Sequence, residues 1–382
     1  MLDKALKGSR RYWTWLLLLL CVIAAGSCFY LRQLDLGLGI TGLSREVSWG
    51  LYIAQFTFFV GVAASAVMVV LPYYLHDDKQ FARMTILGEL LAIAAVTMCI
   101  LFIFVDLGQP ARLLNIVLYP SPRSLMFWDM ISLSGYLLLN ALLAFATLRA
   151  EREEISAPRW IKPLAFLSIP WAISIHTVTA FLYSGLAGRS FWLTAILAPR
   201  FLASAFSSGP ALLILLCLVL RKLAAYDVGE EAIRKLAIIM TYAMAINVFF
   251  VLVEVFTVFY AAIPEHTVHF EYLYLLGGEH NLAPWMWVSA LFAIAALAIL
   301  FTPAWRRAYL PLACILVFIA LWIEKGLGLI VGGFVPSPLG TMTRYVPTLP
   351  EWSIVAGIWA AGALLITLFY KIVLSVRKEA RS

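Results

Sequence analysis

The chain has 382 residues, 63% of them hydrophobic and 13% charged, a balance that excludes an ordinary soluble domain. Its formal charge of +7 sits in short loops between apolar runs, which argues against a nucleic-acid surface and for topology signals. Five cysteines (Cys21, Cys28, Cys99, Cys217, Cys314) all fall inside apolar runs with no CxxC pair, which argues against a disulfide framework and against zinc or iron–sulfur ligation.

Apolar runs long enough to span a bilayer occur at about 13–31, 49–75, 83–105, 124–148, 161–186, 200–222, 236–263, 283–302, 308–330 and 350–374. They predict an all-α integral membrane protein of ten transmembrane helices, a single domain over 1–382. The first run follows Lys4, Lys7, Arg10 and Arg11 like a signal peptide. No small-residue cleavage site follows it, so a retained anchor is expected. Of the 28 Lys and Arg, 20 fall in the termini and alternate loops of one side, 7 on the other, and Lys325 lies within a run. That bias predicts the inner (cytoplasmic) membrane with both termini cytoplasmic.

The loops of the other side (32–48, 106–123, 187–199, 264–282 and 331–349) are longer and rich in Gly, Pro and aromatics. The stretch Asp106-Leu107-Gly108-Gln109-Pro110-Ala111-Arg112 closes the third run with a carboxylate, a helix-ending Gly/Pro pair and a guanidinium. Charges beside hydrocarbon are costly, so the expectation is either an interfacial ion pair at a helix stop or a polar site at the membrane edge. Residues 264–282 lack Lys and Arg but carry Glu265, Glu271, Glu279, His266, His269 and His280. This stretch is read as a loop forming an acidic docking surface, and no metal site is expected.

A helix rise of about 1.5 Å per residue turns sequence position into depth. Tyr52, Gln55, Asp106, Asp129, His176, Tyr183, Arg200, Glu254, Glu324 and Lys325 then gather in the outer half from many helices. Glu89 lies near the inner end of its helix, and Asn140 and Asn247 lie near mid-membrane. Gln55, Asn140 and Asn247 also suit simple interhelical hydrogen bonding. Glu324 and Lys325 are adjacent, so they are expected to face different directions. His176 is the only histidine expected inside a helix, so bis-histidine haem is not expected.

The stretches Ser48-Trp49-Gly50-Leu51-Tyr52-Ile53 through Gly61-Val62-Ala63-Ala64, DLGQPARLLN at 106–115, SLMFWD at 124–129, SIHTVTAFLYSGLAGRSFW at 174–192 and APRFLASAFSSGPAL at 198–212 together resemble the NrfD/polysulfide-reductase (PsrC) membrane-subunit family. Within that family the likeness is to DsrP-type subunits of the sulfite-reduction-associated DsrMKJOP complex. It covers about residues 40–375. The resemblance implies two four-helix bundles (helices 2–5 and 6–9) with helices 1 and 10 peripheral. It implies a quinone-interacting subunit of a respiratory redox complex, without haem or iron–sulfur cluster of its own. Such a subunit exchanges electrons between menaquinol/menaquinone near the periplasmic face and a ferredoxin-like iron–sulfur partner. His176-Thr177-Val178 stands where the family has a tyrosine in a YTG-like motif, and the helix-2 contacts do not match residue for residue.

On this reading His176 bonds one quinone oxygen and Tyr52 or Gln55 the other, with Tyr183 nearby. Asp106 and Glu254 relay protons, and Arg112 holds Asp106 ionised or positions its loop. Glu89, Asn140, Asn247 and Glu324 line a route for proton translocation. The alternatives are a proton-coupled secondary transporter, which would show broken helices and a midplane site, and a passive membrane anchor of a redox complex.

Overall fold

The computed structural model describes residues 8–156, 158–276 and 281–379. Lys4, Lys7, Glu279, His280 and Arg381 lie outside the described residues. Among those described, ten helices are long and apolar enough to cross a membrane, as the sequence predicts. They are α1 (Arg10–Leu36), α2 (Leu51–Leu75), α3 (Lys79–Asp106), α4 (Leu125–Glu153), α5 (Ile161–Ser184), α6 (Leu197–Ala224), α7 (Glu230–Ala261), α9 (Ala283–Phe301), α10 (Pro303–Phe334) and α11 (Leu349–Arg377). A shorter helix, α8 (Pro264–Tyr274), lies between α7 and α9.

α2 is the axis. Its apolar window is wholly buried, whereas that of α1 is only 17% buried. α2 packs on α3, α5, α6, α10 and α11, while α1 packs on α11. α3 continues to α4 and α4 to α5; α6 packs on α7 and α10, and α9 on α7 and α10. Small residues let these backbones close, as usual where lipid supplies no hydrophobic drive between helices. A Cβ on Gly209 of α6 would lie 2.7 Å from the Ser65 amide nitrogen of α2, and one on Gly26 would lie 2.9 Å from the Gly357 Cα of α11.

Two central helices are irregular. In α2, Ala64 N bonds Gly61 O (3.1 Å) and Ser65 N bonds Val62 O (3.0 Å), a tightened turn, and a π turn at Leu71–Leu75 holds Pro72. In α10 the backbone kinks at Tyr309, two residues before Pro311, and Trp322–Gly328 form a π segment. The sequence reading put Gly/Pro breaks mostly at helix ends; these interior ones follow from prolines and from polar residues that need re-aiming.

The two ends differ. At the end carrying the N-terminus, called the basic face, Lys235 Nζ meets Asp78 Oδ2 at 2.5 Å and Arg377 grips both oxygens of Glu151 at 2.9 and 2.8 Å. The Lys235 hydrogen bond holds the Asp78 carboxyl below its ordinary range. At the opposite face, Glu351 accepts from Gly42 N (2.7 Å), Thr348 N (2.8 Å) and Tyr345 Oη (2.7 Å), and Tyr345 Oη accepts from Leu51 N (2.6 Å). One buried carboxylate thus ties the loop after α1, the start of α2 and the start of α11.

Residues 264–274, read from sequence as loop, are helical. Pro264 occupies the first turn, where its missing N–H costs nothing. The histidine reading changes with it, since His266 and His269 are helical too. His269 Nδ1 lies 2.8 Å from Gly332 O and 3.1 Å from Val335 O, pinning α8 to the end of α10. Burial lowers its pKa from the ordinary histidine value.

Candidate functional site

The polar residues near the opposite face divide around α2. On one side the Tyr52 hydroxyl donates to Gln33 Oε1 of α1 at 2.7 Å, and Gln33 Nε2 donates to Val105 O of α3 at 2.7 Å. Gln55 Oε1 accepts from Trp322 Nε1 (2.9 Å) and Trp359 Nε1 (3.0 Å). Its Nε2 is buried without a partner, as are Tyr30 Oη and Asp106 Oδ1. An unpaired buried polar atom forfeits about 1–3 kcal/mol, so each of these atoms calls for a partner beyond the protein's own groups, such as water.

The expected pairing of Asp106 with Arg112 is not formed. Leu107 is extended and Pro110 opens a new 3-10 turn, which carries Arg112 out to the surface. Among the described residues Arg112 has no ion-pair partner.

On the other side of α2, Thr57 Oγ1 and Tyr183 Oη share a 2.5 Å hydrogen bond, and Thr179 Oγ1 donates to Asp129 Oδ1 at 2.7 Å. His176, Thr179 and Tyr183 follow at i, i+3 and i+7, so they share one stripe of α5. His176 has no exposure, and both its nitrogens lack partners. It lies eight residues, about 12 Å, below the end of α5. Gln55 and Thr57 are two positions apart, about 200° around the helix. Tyr52 and Gln55 therefore face α1, α10 and α11, while His176 and Tyr183 face α2 from the α5 side. The two sets thus face different neighbours of α2.

A third group lies between α6, α7 and α10. The Arg200 guanidinium bonds Glu254 with one nitrogen and Glu324 with the other. α6 begins at Leu197, so Arg200 lies in its first turn, with its side chain only 11% exposed. Lys325 Nζ sits 4.3 Å over the Phe201 ring and 3.4 Å from Phe201 O. Glu324 and Lys325 thus both reach α6, contrary to the expectation of divergent directions; they lie in the π segment, whose wider winding re-aims side chains. Two basic and two acidic side chains meet there. Behind them Asn247 and Ser204 line a small chamber of about 10 Å³, and Asn247 Oδ1 has no partner.

The residues expected to form one proton route fall on two sides. Asn247 and Glu324 belong to this chamber. Asn140 donates to Tyr136 O at 2.8 Å, and Tyr136 Oη donates to Ala63 O at 3.3 Å, at the tightened turn of α2. Glu89, on neighbouring α3, has both carboxyl oxygens buried and unpartnered.

Sequence reasoning left out of the site Gln33, Tyr30 and Glu351, which lie near helix ends where polar residues carry no warning. Arg200, Lys325 and Asp129 were visible as intramembrane charges and were given no role. Matching them as a balanced set, two of each sign among Arg200, Glu254, Glu324 and Lys325, would have found the cluster. Among the described residues no three His, Cys, Asp or Glu converge in a manner that could hold a metal.

The model of the NrfD polysulphide reductase family matches residues 39–335. A Halobacterium salinarum protein, provisionally named as a membrane subunit of a dimethyl sulfoxide reductase, is 27% identical over 93% of this chain and 89% of its own length. The Hdr-like menaquinol oxidoreductase integral membrane subunit of Archaeoglobus fulgidus is 25% identical over 99% of this chain and 97% of its own. The menaquinone reductase integral membrane subunit of Nitratidesulfovibrio vulgaris is 21% identical over 89% and 86%.

Proposed function

Since this chain belongs to the NrfD polysulphide reductase family, we propose that it is the quinone-interacting membrane subunit of a multi-subunit redox complex. It exchanges electrons between menaquinol/menaquinone and an iron–sulfur partner. α2–α5 and α6, α7, α9 and α10 are its two four-helix units. The opposite face is periplasmic, the basic face and both termini are cytoplasmic, and the partner docks over the opposite face. The names of the Archaeoglobus and Nitratidesulfovibrio relatives support the quinone assignment.

The observation that carries the reading is the set of buried, unpartnered polar atoms around α2: Gln55 Nε2, Tyr30 Oη, Asp106 Oδ1 and both nitrogens of His176. A quinone supplies two carbonyl oxygens that accept hydrogen bonds and, on reduction, take two protons. Gln55 and Tyr30 present free donors of the kind a carbonyl needs. Tyr52, fixed by Gln33, orients that wall, and Asp106 is the adjacent proton acceptor. His176 and Tyr183, on the other face of α2, handle protons with Asp129 rather than sharing the same head group. Glu89 and Asn140 on one side, and Glu254, Glu324 and Asn247 on the other, are the groups available for proton translocation.

The test is quinol oxidation or quinone reduction by the purified complex, with assembly checked in each variant. Gln55→Ala is expected to remove turnover with assembly intact. Wild-type turnover in both Gln55→Ala and His176→Ala would remove the site from α2. A complex that binds no quinone at all would revive the passive-anchor reading.

A further inference from the structure

A groove of about 170 Å³ opens beside the end of α7, away from both polar faces of α2. Phe191, Ile196, Val258 and Phe270 form the apolar part of its walls, and Thr194, Glu254, Thr257 and His266 the polar part. Its α7 rim is open to the outside at Thr257 and Ala261, both exposed.

Two groups with spare hydrogen-bonding capacity line this slot. Arg200 bonds Glu254 through Oε2, and Oε1 has no partner among the described residues. The half-buried His266 of α8 likewise has no hydrogen bond among the described residues. The slot therefore suits a flat apolar body with hydroxyl donors. Anionic headgroups are disfavoured, because the Glu254 carboxyl lines the groove and residues 264–276 contain no Lys or Arg. An acyl chain would leave the Glu254 oxygen and the imidazole unmatched.

We propose that this groove is a second, lipid-accessible binding site for a hydroquinone. One hydroxyl donates to Glu254 and the other meets His266. The assignment rests on the quinone reading above, but it concerns different helices.

The test is photolabelling of the purified complex in nanodiscs of zwitterionic lipid with an azido-naphthoquinol, followed by peptide mapping. Label is expected on two sets of peptides, one from α2 and one spanning residues 187–199 and 254–270. Ala261→Trp, which fills the groove, should abolish the second set and leave the first. His266→Ala should weaken the second about tenfold, the factor for one lost hydrogen bond. Label confined to α2 would overturn the second site, as would groove label that phospholipid displaces and unlabelled naphthoquinol does not. Label on neither set would overturn this site together with the quinone reading.

Discussion

The Tyr52 hydroxyl donates to Gln33 Oε1 at 2.7 Å, which makes the poorly buried first helix a structural part of the polar group around α2. Gln33 in turn holds the last turn of α3 through Val105 O. Gln33→Leu leaves both partners unmatched. Hydrogen bonds between membrane helices average about 0.6 kcal/mol, so the fold should lose only ~1 kcal/mol. Turnover should fall about tenfold, because Tyr52 and Asp106 lose their shared reference. Wild-type turnover at a normal unfolding midpoint would show that α1 is only an anchor.

Arg200→Leu should be far more damaging. It leaves Glu254 and Glu324 facing each other without the guanidinium between them. Breaking a buried ion pair from one side costs about 3–5 kcal/mol. Adding Glu254→Gln and Glu324→Gln should recover most of that loss. Denaturant unfolding in mild detergent measures both, and a triple variant no more stable than the single one would mean that packing, not charge, is what Arg200 supplies.

These two cases mark what was readable in the sequence. The ten spans were, because eighteen or more apolar residues leave little else to be. So were the costly groups Asp106, His176, Glu254 and Glu324. Their grouping was not. α2 is apolar all the way round and buried along its whole window, so no stripe says that Gln55 and Thr57 serve different neighbours. Gln33 and Glu351 sit close to helix ends, where polar side chains are cheap and give no signal. The π segment that turns both Glu324 and Lys325 towards α6 has no sequence signature that periodicity could detect.

The tie between α8 and α10 should be acid-sensitive. His269 is buried near His266 and Arg189, and its pKa lies below the ordinary value of about 6.5, burial being the main cause. A histidine depressed in the folded state favours folding above the unfolded pKa and loses that contribution as pH falls through the folded value. Hydrogen-exchange protection over residues 264–274, taken relative to the intrinsic rate at each pH, should therefore be high at pH 7.5 and fall towards pH 5. His269→Phe should exchange faster at pH 7.5 and lose the pH dependence. Equal protection at both pH values in the wild type would contradict this.

On the proposed function, proton translocation is expected on the α3–α4 side. Asp129, Tyr136 and Asn140 descend α4 over eleven residues, about 16 Å, and Glu89 on α3 lies towards the basic face. Gaps between such groups exceed direct hydrogen-bond reach and need bridging water. The second set extends less far, since Asn247 lies only seven residues, about 10 Å, below Glu254 on α7. Ion pairing to Arg200 also occupies the carboxylates above it. Glu89→Gln should lower the protons moved per quinol in vesicles while quinol turnover continues. Asn247→Leu should leave the ratio unchanged. The reverse pattern would put the route between α6, α7 and α10, with the Arg200 pair as its gate.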